Sequence, residues 1–93
     1  MFTHVVTFTF TDEAHAAEAA ARLRAMEGQV PSLRSIEVGI DEGRTPRSVH
    51  LALVTRFDDE AAYRAYAVDP VHKEVLAWMG TVVERASVVD WTS

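Results

Sequence analysis

The chain has 93 residues, which fits one small domain spanning residues 1–93. Hydrophobic residues make up 48% and charged residues 25%, the balance of a globular chain rather than a disordered one. The absence of cysteine excludes disulfides, thiolate metal sites and a cysteine nucleophile, and it favours a reducing, cytoplasmic location. Nine Lys and Arg residues against 14 Asp and Glu give a net charge of −5, which argues against nucleic-acid binding. The amino-terminal segment has no basic region and no apolar run approaches the roughly 20 residues of a membrane span, so we expect no membrane association.

The first half of the chain predicts a strand, a helix and a second strand. Residues 2–10 alternate between two faces, which is typical of a strand. Residues 12–27 place alanines and larger apolar residues on one stripe with acids in the first turn, and Gly28 ends this predicted amphipathic helix. Residues 33–40 alternate again and predict a half-exposed strand, which a turn-rich loop over 41–48 follows.

The second half predicts a central strand, two short helices and a closing strand. Residues 49–57 are apolar on both faces except at His50 and the end of the run, as in the middle of a sheet. We expect Asp58 to cap the helix that follows. The Asp69–Pro70 pair then opens a fresh helix, with a side-chain cap followed by a first-turn proline, and this helix closes at Gly80. Residues 84–92 alternate enough to form the last strand.

This order, β-α-β-β-α-β, predicts an α+β, ferredoxin-like fold with a four-stranded antiparallel sheet and helices on one face. Because one helix is mostly alanine, we expect the helices to leave an apolar sheet face uncovered. A second copy would cover that face in a homodimer, and the alternative is a monomer whose helices suffice. The apolar residues that we assign to the uncovered face are Val6, Phe8, Ile36, Val38, Leu51 and Leu53.

Tyr66 and His72 are the first candidates for chemistry. On an unbroken helix they would lie about 120° apart, but the break at Asp69–Pro70 lets them face a common space. His72 then lies near a helix amino terminus, where the dipole favours the neutral imidazole that a general base needs. Tyr66 offers a hydroxyl to a carbonyl oxygen that becomes negative as an enolate forms. The alternative interpretation is a surface histidine beside a half-buried tyrosine.

Three other residues carry weaker signals. His4 lies on the apolar face of the first strand, where an imidazole must find a hydrogen-bond partner or line a cavity. His50 opens the central strand and faces either a pocket or the rim. Asp90 interrupts an apolar run in the last strand, where a carboxylate either points to solvent or orients a partner.

No spacing in the chain is typical of a metal or cofactor site. An acidic helix start explains residues 58–60 better than a metal does, and His72 with Glu74 repeats no known ligand pattern. A phosphate loop, a serine elbow and a dinucleotide fingerprint are all absent. We therefore expect no metal, no nucleotide and no other cofactor, although the sequence leaves open a magnesium ion at the acidic run.

Four segments, which together cover nearly the whole chain, resemble the stress-responsive α/β-barrel (Dabb) family. They are His4–Phe10, His50–Phe57, Ala65–His72 and Val88–Trp91. The most specific is Tyr66 to His72, where the family has a tyrosine, two or three variable residues and then His-Pro-x-His. Asp69 replaces the first of those histidines here, and an aspartate caps a helix at least as well.

The resemblance implies a dimeric α+β barrel and, in a plant cyclase of the family, a cofactor-free aldol condensation that closes a linear polyketide. It assigns His72 as the base, Tyr66 as the oxyanion donor, and Asp90 with His4 as the residues that orient this pair. His50 and Phe8 are then expected to contact the ligand, a small aromatic or polyketide-like compound. Two alternatives stay open: a non-catalytic stress-response or ligand-binding dimer, and a cofactor-independent monooxygenase-like enzyme.

Overall fold

The computed structural model describes residues 1–93 and contains one four-stranded antiparallel sheet with three α-helices. The elements are β1 (Phe2–Phe10), α1 (Ala16–Arg24), β2 (Ser35–Ile40), β3 (Leu51–Phe57), α2 (Glu60–Ala67), α3 (Pro70–Met79) and β4 (Val83–Thr92). The strand order across the sheet is β2-β3-β1-β4, so β1 and β3 are central. This topology confirms the predicted ferredoxin-like fold.

The helix boundaries follow local capping, with one correction. α1 is entered through a short 3₁₀ turn at Glu13–His15, and Asp12 caps that turn by accepting a hydrogen bond from the Ala14 amide at 2.8 Å. The prediction that Asp58 caps α2 is wrong, because the Asp59 side chain accepts the Ala62 amide hydrogen instead. The Asp58 carboxylate is occupied by an ion pair with Arg34 at 2.7 Å.

The helices cover the sheet face that we expected to be bare, so that assignment is wrong. Val6, Leu51 and Leu53 all lie in the hydrophobic core under the helices. The physical reason lies in α1, where Ala19 and Ala20 are fully buried: small side chains let the helix backbone approach the sheet closely. The other three residues assigned to the bare face share this side of the sheet, with Phe8 and Val38 buried and Ile36 partly buried against the core.

The opposite sheet face is the open one. The register places Val54 of β3, Val5 of β1 and Val89 of β4 side by side on it, and Trp91 extends the same row of β4. Val89 is 56% exposed and Trp91 is 46% exposed. Large apolar side chains are therefore exposed on this face, although they are not the residues that the sequence pattern suggested.

No helix combines the length and the apolar character needed to cross a lipid bilayer.

Candidate active site

A cavity of about 270 Å³ lies between the helix-covered sheet face and helices α2 and α3. Thirteen residues line it, of which eleven are hydrophobic or aromatic, and the other two are His4 and His72. Leu76 and Val88 are lining residues that remain 48% and 58% exposed, so the mouth opens between α3 and β4. Its volume exceeds the roughly 150 Å³ of an engineered cavity that binds benzene. The cavity therefore has room for one aromatic ring with a short substituent.

The break between α2 and α3 brings Tyr66 and His72 together, which is one of the two placements that the sequence left open. α2 ends at Ala67, and the Asp69 backbone is extended, with φ −65° and ψ 135°. The Asp69 side chain accepts the Val71 amide hydrogen at 2.8 Å, and Pro70 occupies the first position of α3. This change of direction places the Tyr66 and His72 rings with centroids 4.0 Å apart, and both residues line the cavity.

His72 is held in the form that a general base requires. Its Nδ1 lies 3.2 Å from the carbonyl oxygen of Ala67, and since a carbonyl can only accept, Nδ1 carries the proton. In the neutral ring Nε2 then carries a free lone pair. Burial lowers the pKa of His72, and a charge on His4 would lower it further, whereas the Ala67 hydrogen bond and Asp69 oppose this shift. The ring is therefore neutral at physiological pH.

Tyr66 is a buried neutral phenol. It is only 1% exposed, and its ring packs against Phe57 with centroids 5.0 Å apart. Burial raises the pKa of Tyr66 far above its ordinary value, with a smaller contribution from Tyr63, so the hydroxyl keeps its proton and can donate it. A neutral donor beside a free histidine lone pair is the arrangement that stabilises an oxyanion next to a base.

His4 and Asp90 form a hydrogen-bonded pair at the same end of the sheet. They are register partners on β1 and β4, and His4 Nδ1 lies 2.5 Å from Asp90 Oδ1. The His4 side chain is 10% exposed and lines the cavity, while the Asp90 side chain is 34% exposed. The carboxylate fixes both the orientation and the tautomer of the His4 ring, because it accepts the Nδ1 proton. The structure thus brings four of the predicted site residues to one end of the sheet.

Tyr63 is a lining residue that the sequence reasoning missed. Its ring lies 4.7 Å from that of His4 and 6.3 Å from that of Tyr66, measured between centroids. Burial raises its pKa, and the charge of Asp90 adds to this effect. The available signal was its position three residues before Tyr66, which places both rings on one face of α2.

Phe8 and His50 have different placements. Phe8 lines the cavity, as expected for a residue that contacts a ligand. His50 lies at the other end of β1, where its Nδ1 accepts the Phe10 amide hydrogen at 2.9 Å, and it borders a small crevice of about 30 Å³. The structure therefore places His50 at the rim and away from the cavity, so the expectation that His50 contacts a ligand there is wrong.

The acidic run at the start of α2 is accounted for by separate partners. Asp58 pairs with Arg34, Asp59 caps α2, and Glu60 pairs with Arg64 one turn later. No three His, Asp or Glu side chains are arranged to hold a metal ion.

Comparison with known proteins supports the fold. A dimeric ferredoxin-like protein of unknown function from Thermobifida fusca superposes with a TM-score of 0.87 at 22% identity, over 99% of this chain and 90% of the other. A dimeric protein of unknown function with a ferredoxin-like fold from Bacteroides fragilis gives 0.84 at 22% identity, over 99% and 95%. The hydroxynitrile lyase of Passiflora edulis gives 0.82 at 14% identity, over 97% and 90%. At these identities the likeness shows the fold alone.

No functionally curated protein matches the sequence. The model of the stress responsive A/B barrel domain, Dabb, matches residues 2–93. This match covers almost the whole length, and it agrees with the resemblance that the segment from Tyr66 to His72 carries. The chain belongs to the Dabb family.

Proposed function

We propose that this protein is a cofactor-free acid–base catalyst that enolises a small aromatic or polyketide-like carbonyl compound and promotes its aldol-type cyclisation. The observation that carries the proposal is the contact between the rings of Tyr66 and His72, whose centroids are 4.0 Å apart in the wall of one apolar cavity. A free base and a neutral hydrogen-bond donor are the two groups that enolisation needs.

The first step follows from the protonation states. His72 Nε2 takes the proton from the carbon next to the substrate carbonyl, and the electron pair of that C–H bond moves into the enolate. The carbonyl oxygen becomes negative and accepts a hydrogen bond from the Tyr66 hydroxyl. The enolate carbon then attacks a second carbonyl of the same molecule, forming the new C–C bond, and the resulting alkoxide takes the proton back from the His72 imidazolium.

His4 and Asp90 act as positioning residues in this scheme. The Asp90 carboxylate holds His4 at 2.5 Å, and the His4 ring in turn packs against the tilted ring of Tyr63, which also lines the cavity. A fixed polar group in the same cavity as the Tyr66–His72 pair orients a substrate whose remaining surface is apolar. Phe8 contributes to the apolar lining that holds such a ring.

The volume of the cavity supports a substrate with one aromatic ring. At about 270 Å³ it lies just below the usual range of small-molecule sites, roughly 300–1,000 Å³. The hydroxynitrile lyase of Passiflora edulis, which has a similar fold, is an enzyme, so this fold is compatible with catalysis.

We also propose that the protein is a homodimer that pairs through the open sheet face. Val89 and Trp91 are about half exposed there, and two similar structures are described as dimeric. In sedimentation equilibrium, Trp91→Glu should convert a dimer to a monomer, because it places a charge in the apolar contact. Lys73→Glu changes the charge of an exposed residue on α3 and should leave the dimer intact. A wild-type monomer would refute this part of the proposal.

Two measurements test the catalytic proposal. An NMR titration with acetophenone and benzoylacetone should shift signals of Tyr66 and His72 first. The exchange of the acetophenone methyl protons in D₂O should then be accelerated by the wild type and not by His72→Ala. Exchange by His72→Ala at the wild-type rate would refute the assignment of the base. Binding without any exchange would favour the non-catalytic ligand-binding dimer, and no binding at millimolar ligand would refute both.

A further inference from the structure

A second cleft lies directly beside the cavity and differs from it in polarity. It measures about 480 Å³ and opens where the end of β4 meets the first turn of α2. Tyr63 is the one residue that lines both the cavity and this cleft. The other residues of the cleft are Phe2, Glu60, Arg64, Asp90, Trp91 and Thr92.

The two spaces also meet at the His4–Asp90 pair. His4 lines the cavity and Asp90 lines the cleft, and the hydrogen bond of 2.5 Å joins them across the boundary. The Tyr63 ring packs against His4 at a tilt of 42°, with centroids 4.7 Å apart, and so lies beside this link. The side chains of Tyr63, His4 and Asp90 therefore lie at the boundary between the two spaces, and the phenol ring of Tyr63 is the largest of the three.

The core braces Tyr63 in this position. Its ring makes an edge contact with Phe57, which is fully buried, at a centroid distance of 5.5 Å. Phe2 packs against it at 5.1 Å. A ring that is packed against several aromatic neighbours has few alternative rotamers, so it acts as a fixed wall.

We infer that Tyr63 sets the length of substrate that the cavity accepts, an inference that rests on the proposed function. The ring forms part of the cavity wall that borders the cleft, and in this inference that wall limits the ligand to one aromatic ring with a short chain. Removal of the ring would join the cavity to the cleft. The enlarged site would then take a longer chain that ends in a polar group, because the new space is bordered by Glu60, Arg64 and Asp90.

Phenylalkanols with progressively longer methylene linkers test this inference. By NMR titration, wild-type affinity should rise about fourfold per added methylene until the cavity is full, and then fall. For Tyr63→Ala the rise should continue past the wild-type optimum, with at least a tenfold gain for the longest linkers. Tyr63→Phe keeps the ring and loses only the hydroxyl, so its optimum should match that of the wild type.

If Tyr63→Ala does not fold, Tyr63→Leu shortens the side chain and keeps an apolar contact with Phe57, and its optimum should shift in the same direction. An optimum that is unchanged in the folded variant would overturn the inference, as would a shift in Tyr63→Phe equal to that in Tyr63→Ala. If the wild type binds phenylalkanols but does not accelerate the exchange of acetophenone protons, the proposed catalysis is refuted. The effect of Tyr63 on ligand length can still be measured from the binding series. A wild type that binds none of the series would overturn both.

Discussion

His72 in the cavity and His50 in the crevice near the far end of β1 are used in opposite ways. His72 donates Nδ1–H to the Ala67 carbonyl, lies 4.0 Å from the Tyr66 ring and borders an apolar cavity of about 270 Å³. His50 accepts the Phe10 amide hydrogen and borders a crevice of about 30 Å³. A cavity beside the ring and a lone pair that the backbone does not use make His72 a candidate catalyst, whereas His50 serves as a structural acceptor.

The electrostatic surroundings of the two histidines differ as well. The crevice beside His50 contains the charged side chains of Glu13, Asp41 and Arg44. In the cavity beside His72, every lining residue except His72 itself and His4 is hydrophobic or aromatic. A proton transfer from carbon gains most in the apolar cavity, where fewer polar groups compete for the oxyanion and electrostatic interactions are stronger.

The largest expected effect separates the two histidines directly. His72→Ala removes the base and should lower the rate of acetophenone proton exchange roughly 1,000-fold, whereas His50→Ala should leave it within about twofold. Proton NMR in D₂O measures both rates. Circular dichroism should show that each variant is folded. A His50→Ala variant with a tenfold or larger loss of rate would break the comparison.

Tyr66→Phe should lower the same exchange rate by about 100-fold, the usual effect of losing one oxyanion donor. The substitution keeps the buried ring and its packing on Phe57, so the melting temperature should change little. Ligand affinity in the NMR titration should stay within a few-fold, because the hydroxyl acts mainly on the charged transition state. A Tyr66→Phe variant that loses binding and rate in equal proportion would instead assign the hydroxyl to ground-state binding.

The sequence predicted the order of the elements because alternation and capping are local properties. The Asp69–Pro70 restart was predicted from two adjacent residues, and the structure confirms it. The bare sheet face was assigned wrongly because Val5 and Val6 are both apolar, so alternation in β1 does not say which side the helices cover. That choice depends on how closely the alanines of α1 approach the sheet, which is a property of packing.

For the candidate site as well, local features of the sequence were predictable and contacts between distant residues were not. The pairing of Tyr66 with His72 follows from a helix break that the sequence shows. The bond between His4 and Asp90 depends on β1 pairing with β4, and their separation of 86 residues carries no spacing signal. The family resemblance predicted that His4 and Asp90 act together. Sequence spacing alone predicted neither this pair nor the position of His50.

The pH dependence of the exchange rate should show only an acid limb. Burial lowers the pKa of His72 from 6.5, so the rate should fall about tenfold per pH unit only below that lowered pKa. Since the pKa of Tyr66 is raised, the rate should stay level between about pH 7 and pH 9. In Tyr66→Phe the acid limb should remain at the same pH, because it belongs to His72.

The lowered pKa of His72 also determines how the stability of the fold changes with pH. The unfolded chain binds a proton at His72 more readily than the folded chain does, so the stability contribution of neutral His72 is present above pH 6.5. It is lost as pH falls from 6.5 through the lowered folded-state pKa. Urea unfolding should therefore show that His72→Gln loses less stability on acidification than the wild type. Equal losses in the two proteins would contradict the assignment of a buried neutral ring.

The smallest expected effect concerns the structural end of β1. The Phe10 amide lies at a register shift between β1 and β4, and His50 Nδ1 supplies its acceptor at 2.9 Å. His50→Ala leaves this amide without a partner beside a side chain that is 1% exposed, and the free energy of unfolding should fall by about 1–2 kcal/mol. His50→Asn offers a side-chain oxygen at a similar reach and should recover most of the loss. Equal destabilisation by the two substitutions, measured in urea, would show that ring packing on Phe10 rather than the hydrogen bond holds this end together.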